Sequence, residues 1–176
     1  MRVFIALEVP EGTADAVAGV ARQLSACVRG RFLPRSTYHV TLAFLGEVDE
    51  AESRRAMDAL EAACAKAVPV ELRFRGLGTF GKPHDATLWM DVEPTNALMQ
   101  LAAGVRERLE REGVSFDEKP FKPHITIARR AALPKRELPP LLFPAPACAQ
   151  NATLFKSTLT SEGALYKPLF TVQLPA

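Results

Sequence analysis

Two short stretches of this chain carry the same pattern of reactive groups. One reads Tyr38-His39-Val40-Thr41-Leu42-Ala43 and the other Pro123-His124-Ile125-Thr126-Ile127-Ala128. Each sets a histidine two residues before a threonine, with apolar residues between and after. In an extended strand, successive side chains point to opposite faces. His39 and Thr41 therefore share one face, with Val40 and Leu42 on the other. His124 and Thr126 stand in the same way against Ile125 and Ile127. A single His-x-Thr in a strand is usually structural. The chain has only three histidines, and chance places Thr two residues after two of them in roughly 1% of such chains. The pair reads as two half-buried strands, each offering an imidazole and a hydroxyl to a shared site.

Two facing imidazoles supply one general base and one general acid, because small environmental shifts place their pKa values near neutrality. Threonine hydroxyls are neutral donors of fixed reach, stiffened by the β-branch. They suit the non-bridging oxygens of a phosphate. In-line displacement at phosphorus needs one group on the attacking side and one on the leaving side, with donors on the equatorial oxygens. A 2′,3′-cyclic phosphodiester, whose leaving oxygen stays tethered, is opened with the help of ring strain and needs no metal. No nucleophilic Ser or Cys motif competes. Neither histidine has an Asp or Glu at the usual ligand spacing. We therefore expect no metal and no cofactor.

The elements that must hold these groups follow from composition and pattern. A chain of 176 residues suits one domain, or two small lobes sharing a core. With 48% hydrophobic residues it can bury a sizeable core. A net charge of +2 does not mark a strong nucleic-acid binder, and does not repel an anion. No signal-peptide pattern and no apolar run of membrane-spanning length is seen. Cys27, Cys64 and Cys148 are odd in number and lack Cys-x-x-Cys spacing. A reduced, cytoplasmic protein with buried thiols and no membrane partner is expected.

Taken in order, residues 2–9 alternate as a strand and residues 13–29 form a helix with Val17, Val20, Leu24 and Val28 on one stripe. Gly30 ends it. The first His strand covers 38–45 and closes at Gly46. Asp49 and Glu52 form a capping box before a helix to about Ala67. A strand follows from Val70 to Phe74, and then a glycine-rich loop or hairpin from Gly76 to Asp85. His124 follows His39 by 85 positions, and the same shift carries Val3, Ile5 and Leu7 onto Leu88, Met90 and Val92. It also carries Val20 and Leu24 onto Val105 and Leu109, in a helix from about Thr95 to Arg111. A fixed-period match of this kind is an internal duplication, with halves of about 1–80 and 86–176. Five prolines in 133–146 argue for an irregular loop. Residues 147–159 and 164–174 form a hairpin turning at Ser161-Glu162-Gly163. The expected fold is α+β and bilobal: antiparallel sheets line a central cleft, with helices packed on the outside.

The paired motifs resemble those of the two-histidine phosphoesterase superfamily, within it the RNA 2′,3′-cyclic phosphodiesterases, also called 2′-5′ RNA ligases. The resemblance covers nearly the whole chain, from Arg2-Val3-Phe4-Ile5-Ala6-Leu7 through the motifs to Ser157-x-Leu159, Gly163 and Tyr166. It implies a bilobal fold without metal or ATP, and hydrolysis of a terminal 2′,3′-cyclic phosphate to a 2′-phosphate, with reversible 2′-5′ joining of RNA ends in some members. A monomer acting on RNA with 2′,3′-cyclic phosphate ends or on small cyclic nucleotides is expected. The resemblance implies His39 as proton donor to the leaving oxygen, His124 as the base that activates water, and Thr41 and Thr126 beside them. It also singles out Arg129 as a substrate contact. Strand parity instead puts Arg130 on the face of His124, and a bulge at the strand end re-aims either. By the same parity Phe44 belongs with Val40 and Leu42 in the core. Tyr38 and Phe121 border the motifs as candidate base-stacking groups, and Arg31, Arg35, Lys119 and Lys122 as candidate phosphate-steering charges. His84 has no threonine partner and reads as a loop residue. The rival readings are ligation as the working direction, and a non-catalytic RNA- or nucleotide-binding module.

Overall fold

The computed structural model describes residues 1–176. The chain forms three α-helices and ten β-strands. They run β1 (Arg2–Glu8), α1 (Glu11–Ser25), β2 (Arg29–Phe32), β3 (His39–Glu47), α2 (Glu50–Ala65), β4 (Glu71–Leu72) and β5 (Phe74–Lys82). After these come β6 (Asp85–Val92), α3 (Asn96–Arg111), β7 (His124–Ala132), β8 (Ala147–Cys148), β9 (Asn151–Thr160) and β10 (Gly163–Gln173). Every strand pairing is antiparallel. The α+β class is as expected.

Two four-stranded sheets carry the architecture. One has the order β10-β9-β1-β3, the other β2-β7-β6-β5; β4 and β8 make a small third pair. The sheets do not follow the boundary between residues 1–80 and 86–176. The first takes β1 and β3 from before it and β9 and β10 from after it. The second takes β6 and β7 from after it, and β2 and β5 from before. A single apolar cluster of 39 buried residues, from Val3 to Leu174, underlies both sheets.

Local chemistry explains the helices. Asp49 caps α2 by accepting from Glu52 N at 2.7 Å, and Glu52 accepts from Asp49 N at 2.8 Å, the reciprocal capping box. Thr95 caps α3 through Leu98 N. The helix expected over 13–29 instead stops at Ser25, and Arg29–Phe32 forms the edge strand β2. Three of its four residues are Arg or Gly, so no apolar alternation marks it. Of the loop or hairpin expected from Gly76 to Asp85, the hairpin is found: most of the segment is strand β5, which turns into its antiparallel partner β6. Gly78 lies directly opposite Trp89, and a Cβ there would collide with the six-membered ring of the indole. Glycine is required for close approach rather than for a turn.

Candidate active site

β3 and β7 carry the two motifs, one in each sheet, and touch each other across the core. The expected alternation holds over their first four residues. Val40, Leu42, Ile125 and Ile127 are fully buried, while His39, Thr41, His124 and Thr126 are half-buried on the other face.

The two rings are held in the same way. His39 Nδ1–H donates to the Thr37 carbonyl at 2.7 Å, and His124 Nδ1–H to the Lys122 carbonyl at 2.6 Å. A carbonyl only accepts, so Nδ1 keeps its hydrogen in both rings, and Nε2 is the nitrogen that gains or loses a proton. Five other threonines spend their hydroxyls within the chain: Thr37, Thr95, Thr153, Thr160 and Thr171. Those of Thr41 and Thr126 are not committed there.

Each imidazole stands in an aromatic corner. Phe4 lies 4.9 Å and Tyr166 5.3 Å from His39, the latter edge-on. Phe80 lies 5.3 Å and Trp89 5.5 Å from His124, with Phe80 edge-on. Trp89 is the residue 85 positions after Phe4, so this wall repeats with the motifs. The shift was visible in the sequence; that the aromatic residues frame the rings was not.

Burial pushes the His39 pKa down to about 4, helped by the charges of His124 and Arg129; its bond to the Thr37 carbonyl opposes this. Burial also lowers His124, with Lys122 and Arg129 acting the same way, while its Lys122 carbonyl bond and Asp91 raise it. His39 thus feels the charge of His124, and Arg129 acts on both rings.

Arg129 reaches this position through a bulge. Ile5 faces Ala43 while Ala6 faces Thr41, so Leu42 has no opposite number; Leu88 faces Ala128 while Trp89 faces Thr126, leaving out Ile127. Beyond each extra residue the parity flips. Phe44, expected in the core, is therefore 53% exposed on the His39 face, 6.1 Å from Phe4. Its counterpart Arg129 joins the face of His124. Arg130 takes φ 49°, is exposed, and lies 4.0 Å from Asp85.

Lys122 stays beside His124, and most of the other candidates disperse. Tyr38 is buried in the core and does not offer a stacking face. Phe121 packs under Arg106, and Arg35 pairs with Asp15 at 2.6 Å. Lys119 sits 3.8 Å from Asp117. Lys122 Nζ lies 4.9 Å over the Trp89 ring. His84 is exposed in the β5–β6 turn. Cys148, expected buried, is exposed. No three His, Cys, Asp or Glu side chains gather as a metal site would require. No helix is long and apolar enough to cross a membrane.

The profile of the 2′-5′ RNA ligase superfamily matches residues 10–155. An RNA 2′,3′-cyclic phosphodiesterase of Thermus thermophilus is 32% identical, over 96% of this chain and 88% of that protein. A protein of the same name from Geobacillus stearothermophilus is 36% identical over 72% of this chain, but the match spans only 41% of its length. The structure of E. coli LigT complexed with 3′-AMP superposes with a TM-score of 0.81 at 27% identity, covering 99% of this chain and 98% of that one. With a profile match over most of its length and full-length likeness in sequence and fold, the chain belongs to the 2′-5′ RNA ligase superfamily.

Proposed function

We propose that the protein hydrolyses RNA ending in a 2′,3′-cyclic phosphate to a 2′-phosphomonoester, without metal or cofactor. One observation carries this reading: two imidazoles, each with Nδ1 pinned to a carbonyl and Nε2 left to titrate, lie near enough for His39 to feel the charge of His124, beside uncommitted threonine hydroxyls. Water attacks phosphorus opposite O3′ and gives its proton to His124 Nε2. The P–O3′ bond breaks, and O3′ takes a proton from His39 Nε2. Thr41 and Thr126 donate to the non-bridging oxygens, and Arg129 offsets their charge. The names of the curated relatives and the 3′-AMP complex of the E. coli protein support a nucleotide phosphate as ligand.

His39 is neutral at pH 7 while its pKa stays at about 4. It becomes the proton donor when the substrate's anionic phosphate enters, because an adjacent opposite charge favours the charged form. That depressed value also favours a second reading, in which His124 is the acid and His39 the base. A sulfur leaving atom at the 3′ position decides between them, since it departs with little protonation. Rescue of His39→Ala, and not of His124→Ala, is the expected result.

The test of the reaction is product analysis on a short RNA with a cyclic end, with and without chelator. Conversion to a 2′-phosphate in both is expected. Lost activity in chelator sinks the metal-free reading. Predominant joining to 5′-hydroxyl ends in dilute RNA makes the protein a 2′-5′ ligase, and tight binding without turnover makes it a binding module.

A further inference from the structure

β2 brings a second guanidinium beside Arg129. The two strands pair antiparallel, with Arg31 directly opposite Arg129 and Phe32 opposite Ala128. Directly opposed residues share a face. Phe32 packs with the core, as Ala128 does, so Arg31 lies with Arg129 on the other face, that of His124. Both arginines are exposed, and neither makes an ion pair. Like charges directly opposite one another destabilise a sheet, and no carboxylate relieves them here. Arg31 is also positioned from the far side. At Gly163, where the β9–β10 hairpin of the other sheet turns, an added Cβ would sit 2.5 Å from Arg31 Nη2. The guanidinium thus lies along the glycine backbone at the end of the cleft, one strand beyond Arg129.

We infer that Arg31 and Arg129 form a two-guanidinium seat along the RNA backbone. Arg31 takes the internucleotide phosphate next to the one being cleaved. The inference rests on the phosphodiesterase reading and deepens it, giving the phosphate that precedes the cyclic end a residue of its own. A planar guanidinium is suited to two phosphate oxygens at once. A mononucleoside cyclic phosphate has no group for Arg31; a dinucleotide with a cyclic end has one.

The experiment compares kcat/KM on a nucleoside 2′,3′-cyclic phosphate with that on a dinucleotide ending in the same group. The wild type is expected to favour the dinucleotide. Arg31→Ala and Arg31→Gln should lower that ratio about tenfold. They should also cut the slope of log kcat/KM against log salt on the dinucleotide by about 0.7, the value of one single-strand phosphate contact. Arg54→Ala, which removes the same charge from the outer helix α2, should change neither. An unchanged ratio in both Arg31 variants, or an equal loss on both substrates, overturns the inference. If the wild type turns over neither substrate, the reaction proposed above fails instead. Calorimetric affinity for the dinucleoside 2′-phosphate then decides. Weaker binding and a smaller salt slope in Arg31→Ala support the seat; unchanged binding removes it.

Discussion

Leu42 on β3 and Ile127 on β7 are the extra residues of two matching bulges, 85 positions apart in the sequence. Each side chain is fully buried, and each bulge turns the next solvent-facing residue toward the cleft. On one side that residue is Phe44; on the other it is Arg129. The repeat therefore delivers an aromatic group to one sheet and a cation to the other. Arg129→Ala should lower kcat/KM by about 10²-fold, the scale of losing one transition-state donor. Arg130→Ala should stay within a few-fold of wild type. Arg130→Gly should do the same without loss of thermal stability, since φ 49° suits glycine. Steady-state kinetics and melting curves check both. A large loss confined to Arg130→Ala reverses the assignment.

Replacing either histidine removes one proton transfer. His39→Ala and His124→Ala should each cost roughly 10²–10⁴-fold in turnover. Thr41→Ala and Thr126→Ala should cost less, about 10²-fold each. Near-wild-type turnover by His39→Ala is incompatible with a two-sided mechanism.

Proton uptake should accompany anion binding. His39 is held at about 4 in the free protein, and a phosphate beside it raises that value. At pH 6, titrating in the 2′-phosphate product should draw protons from solution. Calorimetry in two buffers of different ionisation enthalpy measures this; equal apparent heats count against it. The same depressed pKa makes stability pH-dependent. The unfolded chain takes up its proton near 6.5 and the folded one only near 4, so stability is full above 6.5 and falls as pH drops toward 4. The loss is roughly 1–3 kcal/mol. Denaturant melts of His39→Gln should show a flatter dependence over that window.

The wall behind His124 is sensitive to a single methyl group. Trp89 is 4% exposed, and its buried Nε1 has no hydrogen-bond partner. The ring lies flat over Gly78, with Phe80 4.9 Å away. Gly78→Ala must displace the indole and should cost about 1–3 kcal/mol of stability. The displaced ring no longer frames His124, so kcat should fall with the melting temperature. A variant with wild-type kcat and stability would show that Trp89 does not position the imidazole.

Much of the site was legible before any coordinates. The His-x-Thr parity, the capping box at Asp49 and Glu52, and the shift of 85 rest on local pattern, and each reappears in the structure. Bulges depend on how a neighbouring strand pairs, so Phe44 was misplaced and the choice between Arg129 and Arg130 stayed open. β2 is not legible because Arg29-Gly30-Arg31-Phe32 has no apolar period: Arg29 reads as the last helical residue and Gly30 as its stop. For Gly76–Asp85 the pattern leaves loop and hairpin open, because Gly78, which makes room for a tryptophan on the paired strand, interrupts the alternation of β5. The aromatic corners around the rings come from Phe4, Phe80, Trp89 and Tyr166, which only tertiary packing brings together.

The interleaving of the sheets sets a limit on dissection. β5 pairs with β6, and β1 lies between β3 and β9. Residues 1–80 alone keep β3 but lack β9, the other neighbour of β1, and β6, the partner of β5. We expect that fragment to be unfolded by circular dichroism, and equally 86–176, while the two mixed together regain structure. A folded 1–80 fragment would make the first half an independent unit.

The pairing of β1 with β9 also sets the order of events on the ribosome. Arg2 lies opposite Ser157 and Leu7 opposite Ala152, so one edge of β1 emerges about 150 residues before the strand that covers it. At roughly 5–20 residues per second, that apolar edge waits on the order of ten seconds or more. During synthesis β3 is available to pair on its other side, but the β9 side stays open to any passing strand. The fold that joins two halves around one cleft leaves its nascent chain most exposed to aggregation while its last strands are still unmade.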